Sequence, residues 1–349
     1  MCRAHGSASD RLSHPAEGSA QRRDTISIGP GESIQAAIDA ADDGTTIELV
    51  AGEHTERIDF RGKAVRLMGS GETTVIRGTG RGPVVRFSSR EGPGSVLDSL
   101  VVTGGIASRG GGIFIHDASP TVVRTIVSRN RAGRQGSAIC VGGKASPLIY
   151  NNLIIYNTND GSGDPHAVEI VDASPWLVNN TIVRSDSNGL ISRGGMPVIH
   201  NNLLAWNGMR SDGSRRGRGI CDFSDGRASI HYNGFHRNTI AAILRGGRDW
   251  KKIRKLQSKR PDPLVKGNID GNPNFIARPP ASADAASYSG FELNGTGKAL
   301  DRGDPAVACN DLDGTRNDLG FTGGPFAPGS DELPTAGACG TNPSDRDEP

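Results

Sequence analysis

The 349-residue chain contains no apolar run approaching the roughly 20 residues that cross a bilayer, which excludes a membrane-spanning helix. Neither sign of charge dominates, with 40 Lys plus Arg against 38 Asp plus Glu, so a dedicated nucleic-acid binder is not indicated. The first 24 residues offer no apolar stretch for a secretory signal, no Cys/His spacing makes a zinc site, and no P-loop or dinucleotide fingerprint occurs. Glycine is abundant, at 49 residues, but shows no G-X-Y period, which removes collagen. Five cysteines leave at least one thiol without an internal partner. A soluble chain of one elongated or two compact domains is what remains.

What is present is a repeat. Aligned on Ser-Pro or Met-Pro dipeptides, the middle of the chain reads IFIHDASPTVVRTIVSRN, AICVGGKASPLIYNNLIIYN, AVEIVDASPWLVNNTIVRSD and LISRGGMPVIHNNLLAWN, with ICDFSDGRASIHYNGFHRN as a degenerate fifth copy. The anchors Pro120, Pro147, Pro175 and Pro197 are 27, 28 and 22 residues apart. Each unit holds three short β-branched or aliphatic runs separated by turn residues, and three strands per unit describe a coil. Alternation within the units assigns Ile113, Cys140, Val168, Leu190 and Cys221 to one inward column. The pairs Asn151-Asn152, Asn179-Asn180 and Asn201-Asn202 recur at one turn, where stacked amides can bond each other and the bent backbone. Stacking lets each coil bury an apolar face that it could not bury alone.

Ahead of the repeat, Ser33 is placed as the N-cap of an amphipathic helix over Ile34 to Ala41, which Asp43-Gly44 stops before the strand Thr46 to Val50. Such a helix would cover the open end of a coiled core. The whole stretch SIQAAIDAADDGTTIELVAGEHTERIDFRGKAVRLMGS resembles the opening of pectin-lyase-like right-handed parallel β-helix proteins. GNIDGNPNF and ALDRGDPAVACNDLDGTRNDLGFTGGP are similar to the last coils and closing segment of secreted bacterial members. The resemblance spans about residues 26 to 327 and implies a fold, not an activity. It gives an all-β, single-stranded right-handed parallel β-helix of about eight to ten coils with an N-terminal capping helix. The division expected is a disordered tail 1–25, a helix domain 26–332 with a basic insertion 245–266 and a closing segment 299–332, and a disordered tail 333–349.

In this architecture Cys140 and Cys221 lie three coils apart, roughly 14 Å, beyond the roughly 7 Å that a disulfide spans, and are expected as separate buried thiols. Cys309 and Cys339 flank the Gly/Pro-rich closing segment and are the pair expected to bridge, an extracellular habit. Met1-Cys2 reads like a bacterial lipoprotein trimmed at its lipid-bearing cysteine, and equally as an incidental cysteine in a tail. The localisation expected is extracellular or in a bacterial cell envelope, and the oligomeric state a monomer.

The resemblance places substrate across the outside of the strand before each proline anchor, beside the long loops Thr103 to Gly112, Arg131 to Gly136, Asn157 to His166 and Gly208 to Gly219. Outward positions there read Phe114, Val141, Glu169, Ile191 and Asp222, then His116, Gly143, Val171, Arg193 and Ser224, with Asp117, Lys144, Asp172, Gly194 and Asp225 at the adjoining turn. A β-eliminating lyase neutralises a uronate carboxylate, usually with Ca²⁺ or Arg, and removes the C5 proton with a base. Glu169, Asp172 and Asp222 would supply calcium oxygens, and Arg193 and Lys144 the cation or base. A hydrolase would use Glu169 with Asp222, about 9.6 Å apart at two coils. His116, Asp117, Asp172 and Asp225 are further substrate-binding candidates.

Asp164-Pro165-His166 resembles the D-P-H core of mannuronan C5-epimerases, which implies His166 as a catalytic group and Asp164 as a substrate contact. The pattern is incomplete: Gly161 stands where that family has Tyr, and Ile191 where it has a second Asp. The paired-Asp and G-H-G motifs of polygalacturonases and the W-x-D-H and R-x-P-x-x-R signatures of common pectate lyases are missing. In the insertion, Asp249 is expected to cap a helix with Trp250, Ile253 and Leu256 on one face and Lys251, Lys252, Arg254, Lys255, Lys259 and Arg260 around the rest, a basic flap for a polyanion. The leading expectation is a lyase or C5-epimerase acting on acidic polysaccharide, with Ca²⁺ as its one cofactor. The second is a non-catalytic surface module that binds glycan or another envelope component.

Overall fold

The computed structural model describes residues 24–159, 166–209, 213–259, 262–277, 279–280 and 288–339. The chain winds as a single-stranded parallel β-helix, and each coil contributes one strand to each of three long sheets. One coil, for example, runs Thr121–Val123, Ile126–Ser128 and Ile139–Gly142. The first sheet has ten strands, from Thr25–Ile28 to Val265–Lys266, and the second nine, from Gly52–Thr55 to Ile269–Asp270. The third has eight parallel strands, from Ile58–Asp59 to Ala241–Arg245, and Arg248–Trp250 added antiparallel at its edge makes nine. A short three-stranded sheet, Ile106–Arg109, Arg131–Gln135 and Thr158–Asn159, lies where the chain passes from the second sheet to the third.

Stacking fixes the core. The register aligns Leu97, Val122, Ile149, Leu177, Ile199 and Ile230 in the first sheet and Ile113, Ile139, Val168, Leu190, Ile220 and Ile243 in the third, all essentially solvent-free. Each such side chain contributes about 1.5–3 kcal/mol by leaving water. This corrects the inward column read from the sequence: Cys140 and Cys221 pair with Phe114, Glu169 and Ile191 on the outer face. Neither is disulfide-bonded, and both are buried all the same.

Both ends of the core are closed by helices. At the first, α1 (Ile34–Ala40) has Ser33 Oγ accepting from the Ala36 N–H at 3.1 Å and buries Ile34, Ala37 and Ile38. At the other, α2 (Ile253–Lys259) buries Ile253 and Leu256 in the same cluster. The insertion therefore covers the core rather than hanging over a coil as a flap. Its Trp250 lies in a strand, only 5% exposed, and Asp249 does not cap the helix but pairs with Arg218 at 2.5 Å. The Ile253 N–H is capped by Asp270 Oδ2 at 2.8 Å. Among the described residues, no helix is long and apolar enough to cross a membrane.

The paired asparagines divide their work. The second of each pair, Asn152, Asn180 and Asn202, builds a buried ladder that Asn233 and Asn268 continue, and from Asn180 onward each side-chain oxygen accepts from the backbone N–H and the amide of the asparagine one coil earlier. The first, Asn151, Asn179 and Asn201, takes the left-handed φ of 54°, 53° and 55° that the turn needs. These side chains hold a C-terminal arm: Asn151 donates to the Gly323 carbonyl at 2.6 Å, and Asn201 Oδ1 accepts from the Asp304 N–H at 2.9 Å. The arm packs Phe275, Phe291 and Leu319 on the outer face of the second sheet, and Phe326 and Leu333 on that of the first. Cys309 and Cys339 are bridged, with Cα atoms 5.0 Å apart. Residues 333–339, expected as the start of a disordered tail, are thus part of the packed arm.

Candidate functional site

With the arm over the first two sheets, the outer face of the third remains, and its rows follow from the strand register. The first outward row is Asp59, Arg86, Phe114, Cys140, Glu169, Ile191, Cys221 and Leu244, and the second His116, Gly142, Val171, Arg193 and Phe223. The loops fold back over the first row. A Cβ added at Gly136, whose φ is +54°, would come within 2.9 Å of the Cys140 Cα, and one at Gly110 equally close to Phe114. The wall this makes leaves Cys140, Glu169, Ile191 and Cys221 buried although they point outward. Burial and the Glu169 charge push the Cys140 thiol up to about 12, against the opposing pull of Arg109. The second row stays open, with the His116, Arg193 and Phe223 side chains about half exposed.

Two cation–aromatic assemblies mark the ends of this face. Arg86 lies 5.2 Å over the Phe114 ring, which stacks on His116 with centroids 6.0 Å apart, and His116 Nδ1 is 3.2 Å from Asp117. Four rungs on, Arg193 lies 5.5 Å over the Phe223 ring and 3.3 Å from Glu169 Oε1. At about 4.8 Å per rung the strands of Phe114 and Phe223 are roughly 19 Å apart, and Gly142 and Val171 form a low floor between His116 and Arg193.

Of the residues singled out in the sequence, the structure brings together Glu169 with Arg193 and His116 with Asp117. Asp222 is a correction: it faces inward, in the interior row Phe87, Ile115, Val141, Ile170, Ser192, Asp222 and Arg245. There it is ion-paired with Arg245, so Glu169 and Asp222 lie on opposite faces of the sheet and cannot flank one bond. His166 is buried below the loops, not on the open row. Its Nδ1 accepts from Asn188 Nδ2 at 2.9 Å, an amide whose orientation is fixed because its oxygen accepts from the Arg218 N–H. Asp164 lies outside the described residues.

Lys144, Asp172 and Asp225 occupy exposed turns. Asp117 Oδ1 accepts from the Lys144 backbone N–H at 2.9 Å, which with the neighbouring His116 and Lys144 holds its carboxyl below the usual range. Asp172 lies over Gly194, where a Cβ would come 2.2 Å from its Oδ1. Asp117 thus joins one coil's turn to the next, and Asp117, Asp172 and Asp225 share the left-handed φ of 50°, 53° and 54°. Among the described residues no three His, Cys, Asp or Glu side chains converge as metal ligands, and Glu169, Asp172 and Asp222 occupy a crease, a turn and the interior. Phe114, Phe223, Arg86 and Arg109 were not singled out as site residues. Phe223 carried a signal, since it ends the strand paired with the one that carries Arg193.

No protein-family model and no curated protein matches the chain. Among solved structures the chain is similar to pectate lyase Pel9A, at 14% identity and a TM-score of 0.47 over 85% of this chain and 95% of that one. It is also similar to ORF18 of Geobacillus virus E2, at 19% identity and a TM-score of 0.29 over 60% of this chain and 42% of that one.

Proposed function

We propose that the protein is a non-catalytic β-helix module that binds an acidic polysaccharide along the open face of the third sheet. The observation that carries this reading is the pair of cation–aromatic assemblies, Arg86–Phe114–His116 and Arg193–Phe223, on the one long sheet that the arm leaves uncovered. Guanidinium groups match carboxylates with paired donors, and a half-exposed ring offers an apolar platform to a sugar face. The lyase and hydrolase readings require groups that the fold separates: Asp222 is inside, His166 is below the loops, and Lys144 is on a turn. A ligand of this kind is met outside the cytoplasm, a reading that the Cys309–Cys339 bridge supports.

Retention on immobilised polygalacturonate, alginate and hyaluronan, with neutral glycans as controls, tests the reading. The wild type is retained on at least one polyuronate, and Arg193→Gln with Phe223→Ala lowers the affinity about tenfold or more. Retention unchanged in that double variant overturns the site. Growth of the ultraviolet absorbance of an unsaturated uronate, abolished by Arg193→Gln, would instead establish a lyase, and a chelator arm reports whether calcium takes part.

A further inference from the structure

The end of the second sheet nearest α2 carries a concavity that the third-sheet reading does not use. A cavity of about 560 Å³ opens between the strand Gly234–His236, the turn that follows it, the link from Trp250 to α2, and the start of the arm. Arg237, Lys251, Lys252 and Lys298 line it, from three separate stretches of chain, with Asp270 as its one carboxylate. Asp270 is engaged, since its Oδ2 accepts from the Ile253 N–H.

None of these four cations makes an ion pair among the described residues, whereas Arg61, Arg66, Arg77, Arg124, Arg193 and Arg245 each do. All four are exposed, and like charges gathered around one concavity still repel one another, a repulsion that a bound anion relieves. Lys298 is also positioned. Its stem lies across Gly271, where a Cβ would come 2.5 Å from the lysine Cδ, and its backbone N–H donates to the Asn272 carbonyl at 3.0 Å. A second cavity of about 370 Å³ shares His236, Arg237 and Asn272 with the first, so the two form one groove. Burial, aided by the Arg237 charge, pushes His236 down to about 4, so near neutral pH the ring offers hydrogen bonds without adding charge.

We propose that this groove is a second binding site, for a compact ligand that carries two or more anionic groups on a polyhydroxylated frame: a phosphorylated, sulfated or uronic sugar. Its size is that of a small-molecule site. The Asn272 carboxamide supplies a donor and an acceptor suited to adjacent hydroxyls. A nucleic-acid strand fits less well, because the aromatic rings of the adjoining cavity, Trp206 and Phe275, are 8% and 6% exposed and leave no face on which bases can stack. The site is independent of the third-sheet reading.

Calorimetric titration of the full chain with fructose 1,6-bisphosphate and a disulfated disaccharide, at low and moderate ionic strength, tests it. The variants are Lys251→Gln/Lys252→Gln, which removes two charges, and Gly271→Ala, which keeps every charge but displaces the Lys298 stem. At least one probe binds the wild type with unit stoichiometry, its affinity falls about tenfold or more in both variants, and Arg193→Gln leaves it unchanged. The probe that binds identifies the anion. The proposal is overturned if no probe binds at low salt, if binding survives both groove variants, if Arg193→Gln abolishes it, or if only a short oligonucleotide binds.

Discussion

Asp222 provides the sharpest test of the register on which the site rests. It is 4% exposed in the interior row, ion-paired with Arg245, and its Oδ1 accepts from the Ser224 N–H at 3.0 Å and hydroxyl at 2.5 Å. Removing one partner of a buried pair costs about 3–5 kcal/mol because the other charge stays buried. Arg245 keeps Asp262 at 2.7 Å and the Gly226 carbonyl at 3.0 Å, so Asp222→Ala should fall at the low end, about 3 kcal/mol. Replacing both partners, as Asp222→Leu with Arg245→Met, removes the buried charges together and should recover most of that loss or exceed the wild type by about 1–4 kcal/mol. Urea unfolding, with midpoints compared at constant slope, measures both quantities. A loss below about 0.5 kcal/mol for Asp222→Ala, the size expected of an exposed site, would refute the inward register. So would a double variant no more stable than the single one.

Three further outcomes follow from the same geometry. Asn202→Ala deprives the buried Asn180 N–H of its acceptor and the Leu177 carbonyl of its donor, and should cost about 2–4 kcal/mol in the same urea assay, with Asn202→Asp no better. Cys140, buried and pushed up to about 12, should resist iodoacetamide at pH 8 in the native protein and react on unfolding, as peptide mapping would show; rapid native labelling would contradict its placement under the loops. Asp318 is raised to about 6 by burial and by the charges of Asp311, Asp301 and Asp313. Folding raises this pKa above the unfolded value of 3.8, so the group's stabilisation is full below that value and is lost as pH rises through about 6. Asp318→Asn should therefore melt above the wild type at pH 8 and level with it at pH 4, and an equal gap at both would discard the account.

Much of the coil was legible because it is repetitive. The proline anchors and paired asparagines gave the period, and Ser33 with the apolar spacing behind it marked α1. A second ladder, in which Asn130 meets Asn157 and Asn207 meets Asn238, was present as the asparagine that closes most repeat units. It went unassigned because the unit ending in Asp186 interrupts it, and there Ser185 donates its N–H to Asn207 instead. The arm's path was hidden, since it depends on contacts between distant segments, such as Phe326 against Tyr150 at 5.8 Å. Its local trace was the apolar run Leu148-Ile149-Tyr150, which has no polar face and so implies cover on both sides.

The site was misread where the period-2 signal is weakest. Ala138-Ile139-Cys140-Val141 is apolar at every position, so alternation cannot say which residues face inward, and a one-residue slip exchanges the faces. The slip placed Cys221 in the inward column and so carried Asp222 to the outside. Charge alone does not assign a face in a solenoid, because a partner one rung away can neutralise a group on either side. Glu169 with Arg193 and Asp222 with Arg245 are both pairs between adjacent coils, one outside and one inside. What separates them is the apolar residue beside each: Val168 takes the inward position that Glu169 would otherwise fill, while Ile220 fixes Cys221 outward and returns Asp222 to the core. Placing the Ile139, Val168, Leu190 and Ile220 column first, and the charges afterwards, yields the observed rows from the sequence alone.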